Sequence, residues 1–580
     1  MINIKENERL SMLNHSCAHL MAQAVKHLYP NALFWVGPVV ESGFYYDIDL
    51  GDEVIKEDDL LKIEKEMKKI SKDGKRIVRR EISKEEALEM FKEDPYKIDL
   101  ISRMDESEQV ITCYSQGDFT DLCRGPHVDT VKELKHFKLL KFSGAYWKGD
   151  ANNKMLQRIY GVCFDNEEEL NEHLNLLEEA KKRDHKKLGK ELDLFMISEY
   201  GPGFPFFLPK GMIIRNELEN FWYNEHTKED YLFIKTPIML NKELWEVSGH
   251  WFNYRENMYV SEIDEKTFAV KPMNCPGGML VYKNGLHSYK DLPLRIGELG
   301  QVHRHEASGA LNGLFRVRTF TQDDAHIFMR EDQIEGEIVR LINFIDRMYS
   351  IFGLTYDIEL STRPEEKYIG SIEIWDKSEK ILERACHEAG HDCKINPGDG
   401  AFYGPKLDFH IKDSLGRVWQ CGTIQLDMNL PERFDLTYID SDGSKKRPIM
   451  LHRVIYGSIE RFIGILIEHY AGAFPTWLSP VQVNIIPVNN EYHLEYCKEL
   501  KNKLSDLNIR CELDDRDEKL GYRMRESQTK KIPYTLVIGD KERDNNAVNY
   551  RKFGSQETIS VSIDEFIDLI QNEIRTKGVK

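Results

Sequence analysis

Two histidines, His15 and His19, stand four residues apart in "LNHSCAHLMAQAV" (13–25), a stretch patterned as a helix. That spacing is about one helical turn, so both imidazoles share a face. "DLCRGPHV" adds Cys123 and His127. Three imidazoles and a thiol could hold zinc tetrahedrally. The same groups without a metal could bind a polar substrate and orient water. Residue chemistry alone does not separate the two.

A second constellation lies in "ELGQVHRHEASGALNGLFRVRTFTQDDAHIF" (298–328). Arg304, Glu306, Arg316 and Arg318 alternate on what read as two strands joined by a small-residue loop. Alternate residues on a strand share a face, so these side chains could converge on one polyanion. Arginine suits that task because its planar fork grips phosphate bidentately. A solvated sheet face would show the same alternation. Further on, "HRVIYGSIERFIGIL" puts Arg461 early in an apolar helix, just after a glycine and a serine. A lone charge on an apolar helix has a partner or a task.

The elements that would carry these groups fall into zones. The chain has 580 residues, 41% hydrophobic and 31% charged, enough for several soluble domains. No apolar run approaches the ~20 residues of a membrane helix. "MINIKENERL" has no signal-peptide or transit-peptide character, which reads as a cytoplasmic protein. Ten scattered cysteines without a C-x-x-C pair are expected to be reduced, buried or ligating. The net charge of −18 argues against general nucleic-acid binding, though a local basic face would escape that test.

Residues 1–165 mix helices (14–28, 57–73) with short strands, an α+β unit. Residues 166–192 read as one charged connecting helix, acidic first and basic last, matching the helix dipole. Residues 193–476 suggest an antiparallel sheet with helices to one side. From 477 to 580, short β-runs alternate with amphipathic helices (491–505, 519–531, 563–576), the rhythm of an α/β domain.

The segment ending at Pro237, "VHRHE…LFRVRTF" and "GSIERF" resemble, in order, motifs one, two and three of the class II aminoacyl-tRNA synthetases. The resemblance implies an antiparallel catalytic sheet, ATP with Mg²⁺, and amino-acid activation to an adenylate. It implies that Arg304 bridges the substrate carboxylate and the α-phosphate. Glu306, Arg316 and Arg461 would hold ATP, Phe320 would stack on adenine, and Gln420 and Thr423 would lie near the nucleotide. "KPMNCPGG", "QDDAH", "LHR", "AFYGPKLDF" and "WQCGTIQLD" resemble the threonyl-tRNA synthetase family along essentially the whole chain. By that likeness Cys275, His326 and His452 hold one zinc with an open position. Met273, Gln322, Asp324, Tyr403 and Gln425, with Arg304, would line the L-threonine pocket. Valine offers no hydroxyl to the metal and should be rejected. Serine lacks only a methyl, worth roughly 1–3 kcal/mol, so misactivation and an editing site are expected.

Residues 1–165 resemble that family's editing domain, in which the cluster of His15, His19, Cys123 and His127 hydrolyses seryl-tRNA(Thr) without a metal. A related alanyl domain uses the same constellation to hold zinc. Tyr46, Lys97 and Asp121 match editing-cleft positions, and His15 is a candidate base or water-orienting group. The last domain resembles an anticodon-binding domain, with Glu542 and Arg551 at base-reading positions. Its segment 515–531 carries three arginines and three lysines against four acids. The resemblance further implies tRNA(Thr) as partner and a homodimer.

Three departures stand out. Only 14 residues precede His15, leaving no room for the ubiquitin-like domain that begins most bacterial relatives. Gly278 replaces the usual histidine three residues after Cys275, and Lys531 stands where many relatives have arginine. A prolyl- or seryl-type ligase, a regulatory paralogue or a stand-alone deacylase are the rival readings. The zinc triad, Arg304 and Arg461 count against them.

Overall fold

The computed structural model describes residues 2–104, 110–150, 152–366 and 368–578. The chain divides into two compact units, Met1–Glu179 and Ala180–Lys580.

In the first unit the long helix Glu8–Leu28 begins where the Asn7 side chain accepts the Leu10 N–H. That is the usual way to satisfy a free amide at a helix start. From Leu13 to Val25 the helix is almost entirely buried, His15 excepted. It packs with helix Glu57–Asp73 and an antiparallel sheet ordered Leu33–Phe34, Gly43–Asp49, Met155–Phe164, His136–Tyr146. A second, three-stranded sheet runs Ile77–Ser83, Val110–Gln116, Phe119–Leu122.

The second unit is built on an eight-stranded sheet. Its order is Leu232–Phe233, Leu294–His303, Thr319–Met329, Ile449–Val454, Val418–Asp427, Lys406–Lys412, Thr355–Ser361, Cys393–Asn396. The pairing is antiparallel except at the two edges, where the outermost strand runs parallel to its neighbour. Helix Ile334–Ser350 buries Ile338, Leu341, Ile342 and Ile345 in the main core. That is the i, i+3, i+4, i+7 stripe of a helix lying on a sheet. A C-terminal sheet follows, ordered Cys511–Leu513, Val483–Pro487, Tyr534–Ile538, Ala547–Lys552, Ile559–Ser562, with helices Asn490–Asp506, Leu520–Thr529 and Ile563–Thr576.

Two expected elements differ. The single helix over 166–192 is two, Glu167–Arg183 and His185–Glu191. Asp184 breaks it: its backbone leaves the helical region (φ −48°, ψ 119°), and its carboxylate caps the Lys186 and Lys187 N–H groups. A capping aspartate competes with helix continuation. Residues 314–318 are not strand either. The strands stop at His303 and start again at Thr319, so Arg304, Glu306, Arg316 and Arg318 lie in the connecting loop. The Arg304 N–H still donates to the Arg318 carbonyl at 2.9 Å, which closes the loop's base.

Candidate functional site

Strand Thr319–Met329 organises the main site. Phe320, Gln322, Asp324 and His326 alternate along it and therefore share one face. His326 pairs across the ladder with His452, and His452 with Gln425. Directly opposed residues in antiparallel strands point to the same side. Cys275 reaches the same place as the first residue of helix Cys275–Lys283. The ligand atoms of Cys275, His326 and His452 all lie within 4.8 Å of one another.

The chemistry of this trio fits a cation. His326 Nε2 is buried without a hydrogen-bond partner. Burial lowers the His326 pKa to about 4, so the ring is neutral and able to ligate near neutral pH. Burial, then the charges of Asp324 and Asp427, raise the Cys275 thiol well above its usual range. Carboxylates that disfavour a thiolate alone favour a bound dication. His452 Nε2 lies 2.8 Å from Asp427 Oδ2, the carboxylate–imidazole pairing that orients metal-binding histidines. Gly278 packs against His326: a β-carbon there would sit 3.2 Å from Nδ1, so any side chain must push the ring.

The expected threonine-pocket groups gather around the trio. Asp324 Oδ2 accepts from Asn274 at 3.1 Å, and Asp324 Oδ1 is 3.9 Å from His326 Nε2. The Tyr403 ring is 5.3 Å from that of His452. Gln425 donates to the Gly404 carbonyl at 3.2 Å. Met273 Sδ is 3.0 Å from His250 Nε2.

Beside this cluster is a cavity of about 280 Å³. Arg304, Glu306, Arg316, Phe320, Gln322, Gln420, Thr423 and Arg461 all line it. Arg304 stacks over Phe320 at 5.1 Å and donates to the Pro272 carbonyl at 3.2 Å. Arg461 is aimed by its helix: Ser458 caps the N-terminus through the Arg461 N–H, and the guanidinium donates to the carbonyls of Phe315 (3.0 Å) and Gln420 (3.2 Å). Arg316 pairs with Glu306 at 3.4 Å. Arg318 turns away and donates to the Glu306 and Pro202 carbonyls, holding the loop rather than facing the cavity. Gln420 and Thr423 both donate to Asp408, at 2.8 and 3.0 Å.

Asp408, Asp427 and His250 were not singled out in the sequence. Asp427 could have been found, because it lies two residues beyond Gln425 on one strand and so faces the same way. His250, 3.9 Å from Cys275 Sγ, carries no local signal and arrives only through the fold.

The first unit holds the other cluster. Cys123 Sγ lies 3.1 Å from both His15 Nε2 and His127 Nε2. The rings of His15 and His19 lie 4.3 and 4.4 Å from that of His127. Behind them is a buried polar layer. Lys97 Nζ is 2.5 Å from Asp121 Oδ1, and the Tyr46 hydroxyl donates to Asp121 Oδ2. Burial, then the positive charges of its neighbours, keep His19 well below the ordinary imidazole pKa. Burial also lowers His15 and His127, and pushes the Cys123 thiol up to about 12. The four ligand-type atoms of His15, His19, Cys123 and His127 lie within 4.8 Å of one another.

In the C-terminal sheet the basic footprint shrinks. Arg523 is buried and donates to the Asp514 and Pro487 carbonyls, and Arg516 is clasped by Asp514 and Glu526. Lys531 Nζ donates to the Ala471 carbonyl instead of standing free. Glu542 accepts the Gly539 N–H at 2.9 Å in a capping box, while Arg551 pairs with Thr535 on the neighbouring strand.

Comparison with known proteins agrees with this layout. Residues 259–470 match the tRNA synthetase class II core domain (G, H, P, S and T), 482–573 an anticodon binding domain, and 111–160 the threonyl and alanyl tRNA synthetase second additional domain. A threonine–tRNA ligase of Fusobacterium nucleatum is 60% identical over 99% of this chain and 93% of its own. One from Clostridioides difficile is 56% identical over 100% and 90%. The solved RNA binding domain of threonyl-tRNA synthetase from Cryptosporidium parvum superposes with a TM-score of 0.65 at 40% identity, covering 67% of this chain and 98% of that one. Identity at this level, sustained over nearly the full length of both chains, makes this chain a member of the threonyl-tRNA synthetase family.

Proposed function

We propose that the chain is a threonine–tRNA ligase that activates threonine with ATP, transfers it to tRNA(Thr), and hydrolyses mischarged seryl-tRNA(Thr). One observation carries the synthetic reading. The shared face of Thr319–Met329 runs from the nucleotide cavity at Phe320 and Gln322 to the Cys/His/His trio at Asp324 and His326. An amino acid held at the trio therefore presents its carboxylate to the cavity.

Arg304 binds that carboxylate and the α-phosphate together, and offsets negative charge that builds as the carboxylate attacks phosphorus. Arg461, Arg316 and Glu306 hold ATP, Phe320 stacks on adenine, and Gln420 and Thr423 lie near the nucleotide, with Mg²⁺ accompanying the phosphates. Cys275, His326 and His452 would hold zinc, which when bound would supply a Lewis acid able to recognise the amino group and hydroxyl of threonine. Asp324 and Gln322 orient the amino group, and Met273, Tyr403 and Gln425 close the pocket around the side chain. Valine lacks the hydroxyl and is refused, whereas serine passes this filter.

In the first unit, His15, His19, Cys123 and His127, with Tyr46, Lys97 and Asp121, bind the terminal adenosine and position water for hydrolysis without a metal. Glu542 and Arg551 read anticodon bases. The domains are 1–165 for editing, 166–192 as connector, 193–476 for catalysis and 477–580 for the anticodon. Exposed apolar side chains at Met212, Leu232, Phe233 and Met239, around the motif-one segment, support a homodimer. No described helix is long and apolar enough to cross a membrane, and the ten cysteines are free thiols, in keeping with a cytoplasmic enzyme.

ATP–pyrophosphate exchange with threonine, serine and valine, alongside zinc analysis, tests the reading. Exchange with threonine, less with serine, almost none with valine, and one zinc lost in Cys275→Ala are expected. Folded, zinc-loaded protein without exchange would overturn it.

A further inference from the structure

By its charge pattern the stretch 166–192 reads as a connecting helix, yet His185, the first residue of helix His185–Glu191, is only 1% exposed. Its ring stands between two elements of the nucleotide cavity. On one side, Nε2 accepts the Leu314 N–H at 3.0 Å. On the other, Nδ1 lies 2.7 Å from Glu468 Oε1, on the helix Ile459–His469 that also carries Arg461. The same carboxylate oxygen accepts the His185 N–H at 3.0 Å, so ring and backbone are anchored together. A backbone N–H can only donate, so Nε2 is the bare nitrogen and the ring proton sits on Nδ1, facing Glu468.

Leu314 begins the stretch that builds one wall of the cavity. The Phe315 ring lies against the His185 ring, centroids 4.0 Å apart, and the Phe315 carbonyl accepts from Arg461 Nε at 3.0 Å. Arg316 comes next and lines the cavity. Its side chain is 55% exposed and paired with Glu306 at 3.4 Å, a contact too wet to hold it, so its direction is set by its backbone. That backbone closes onto the imidazole. Gly313 has φ +51°, and a β-carbon there would stand 2.1 Å from His185 Nε2. Lys186, next to His185, adds a bond to the Asn312 side chain at 3.1 Å.

We infer that His185 is a positioning residue of the nucleotide site: it pins the backbone at Leu314–Arg316, so that Arg316, and Arg461 through the Phe315 carbonyl, face ATP. The inference rests on the ligase reading above. Leu314 is fully buried, so removing the imidazole strands its N–H, and the loop escapes that cost only by moving toward water.

His185→Leu in the full chain keeps apolar bulk and removes the acceptor. His185→Gln restores one, because a glutamine Oε1 reaches about as far as Nε2. In threonine-dependent ATP–pyrophosphate exchange, the KM for ATP should rise roughly 10-fold in His185→Leu, within the range that stranding one buried donor costs. The KM for threonine and the zinc content should keep their wild-type values, and His185→Gln should recover most of the ATP KM. Gly313→Ala reaches the same contact from the loop side and should raise the ATP KM in the same way, which decides the matter if His185→Leu does not fold. An ATP KM unchanged in both His185→Leu and Gly313→Ala, no recovery in His185→Gln, or a threonine KM that rises in step overturns the role of His185 alone. A folded, zinc-loaded wild-type chain without exchange removes the ligase reading, and His185 with it.

Discussion

Lys97→Met removes one charge from a pair that scarcely meets solvent. The Lys97 and Asp121 side chains are 3% and 2% exposed, with Nζ 2.5 Å from Oδ1. After the change Asp121 keeps the Tyr46 hydroxyl on one oxygen and the Leu122 N–H, at 2.8 Å, on the other. Two hydrogen bonds do not replace a counter-ion in so dry a place. Breaking a buried pair by removing one partner costs about 3–5 kcal/mol. The bond from Lys97 to the Trp35 carbonyl, 2.9 Å, is lost as well, adding about 1 kcal/mol. Methionine keeps most of the stem's packing, so no cavity term arises. For a unit this size each kcal/mol moves Tm by roughly 2–4 °C, so the unit Met1–Glu179 should melt about 8–24 °C lower. Calorimetry of the full chain measures this. Its transitions are assigned by which activity, seryl-tRNA(Thr) hydrolysis or threonine-dependent exchange, disappears on heating. Exchange at 25 °C (about 298 K) should be unaffected. Adding Asp121→Asn removes the stranded charge and should recover most of the stability while hydrolysis stays lost. A shift under about 2 °C, or a double variant less stable than the single, would refute the reasoning.

Arg461→Ala frees the Phe315 and Gln420 carbonyls and strips the cavity of a fixed charge, so kcat/KM for exchange should fall roughly 10²–10³-fold. Arg461→Lys should not rescue it, because an ammonium has no fork to span both carbonyls. The second unit should also lose stability in mild acid. His226 is buried, stacked on Trp222 at 4.0 Å, and burial, then Arg453, hold it well below its ordinary pKa of 6.5. The unfolded chain takes up that proton near pH 6.5 and the native chain does not. The stability it contributes above pH 6.5 is therefore lost as pH falls through that value. Urea midpoints measured between about pH 8 and 5 should show the decline, and His226→Phe should flatten it.

Local patterning made much of this molecule legible. The helix over 57–73 matches Glu57–Asp73, because its period and charge order are properties of the chain alone. The four-residue spacing of His15 and His19 fixes one edge of the cluster they form with Cys123 and His127 in the same way. The two misread elements turn on competing local chemistry: Asp184 caps a new helix where charge periodicity suggested continuity, and alternation at 314–318 looked like strand. Those residues lie in the loop between Leu294–His303 and Thr319–Met329, whose register directs Arg316 into the cavity and Arg318 into the loop's own carbonyls.

The sequence by itself determined the kinds of chemistry present: thiol, imidazole and guanidinium groups in an order matching one synthetase family. It could not bring Cys275, His326 and His452 together, since positions so far apart share no local period. Cross-strand register did that, placing His326 opposite His452 and aiming the start of a helix at both. Tertiary structure likewise decided that Asp427 would hold His452 and that Ser16 would lie under His127. The physical reason is that hydrogen bonds and burial act through space at about 3 Å, a distance the order of residues along a chain does not encode.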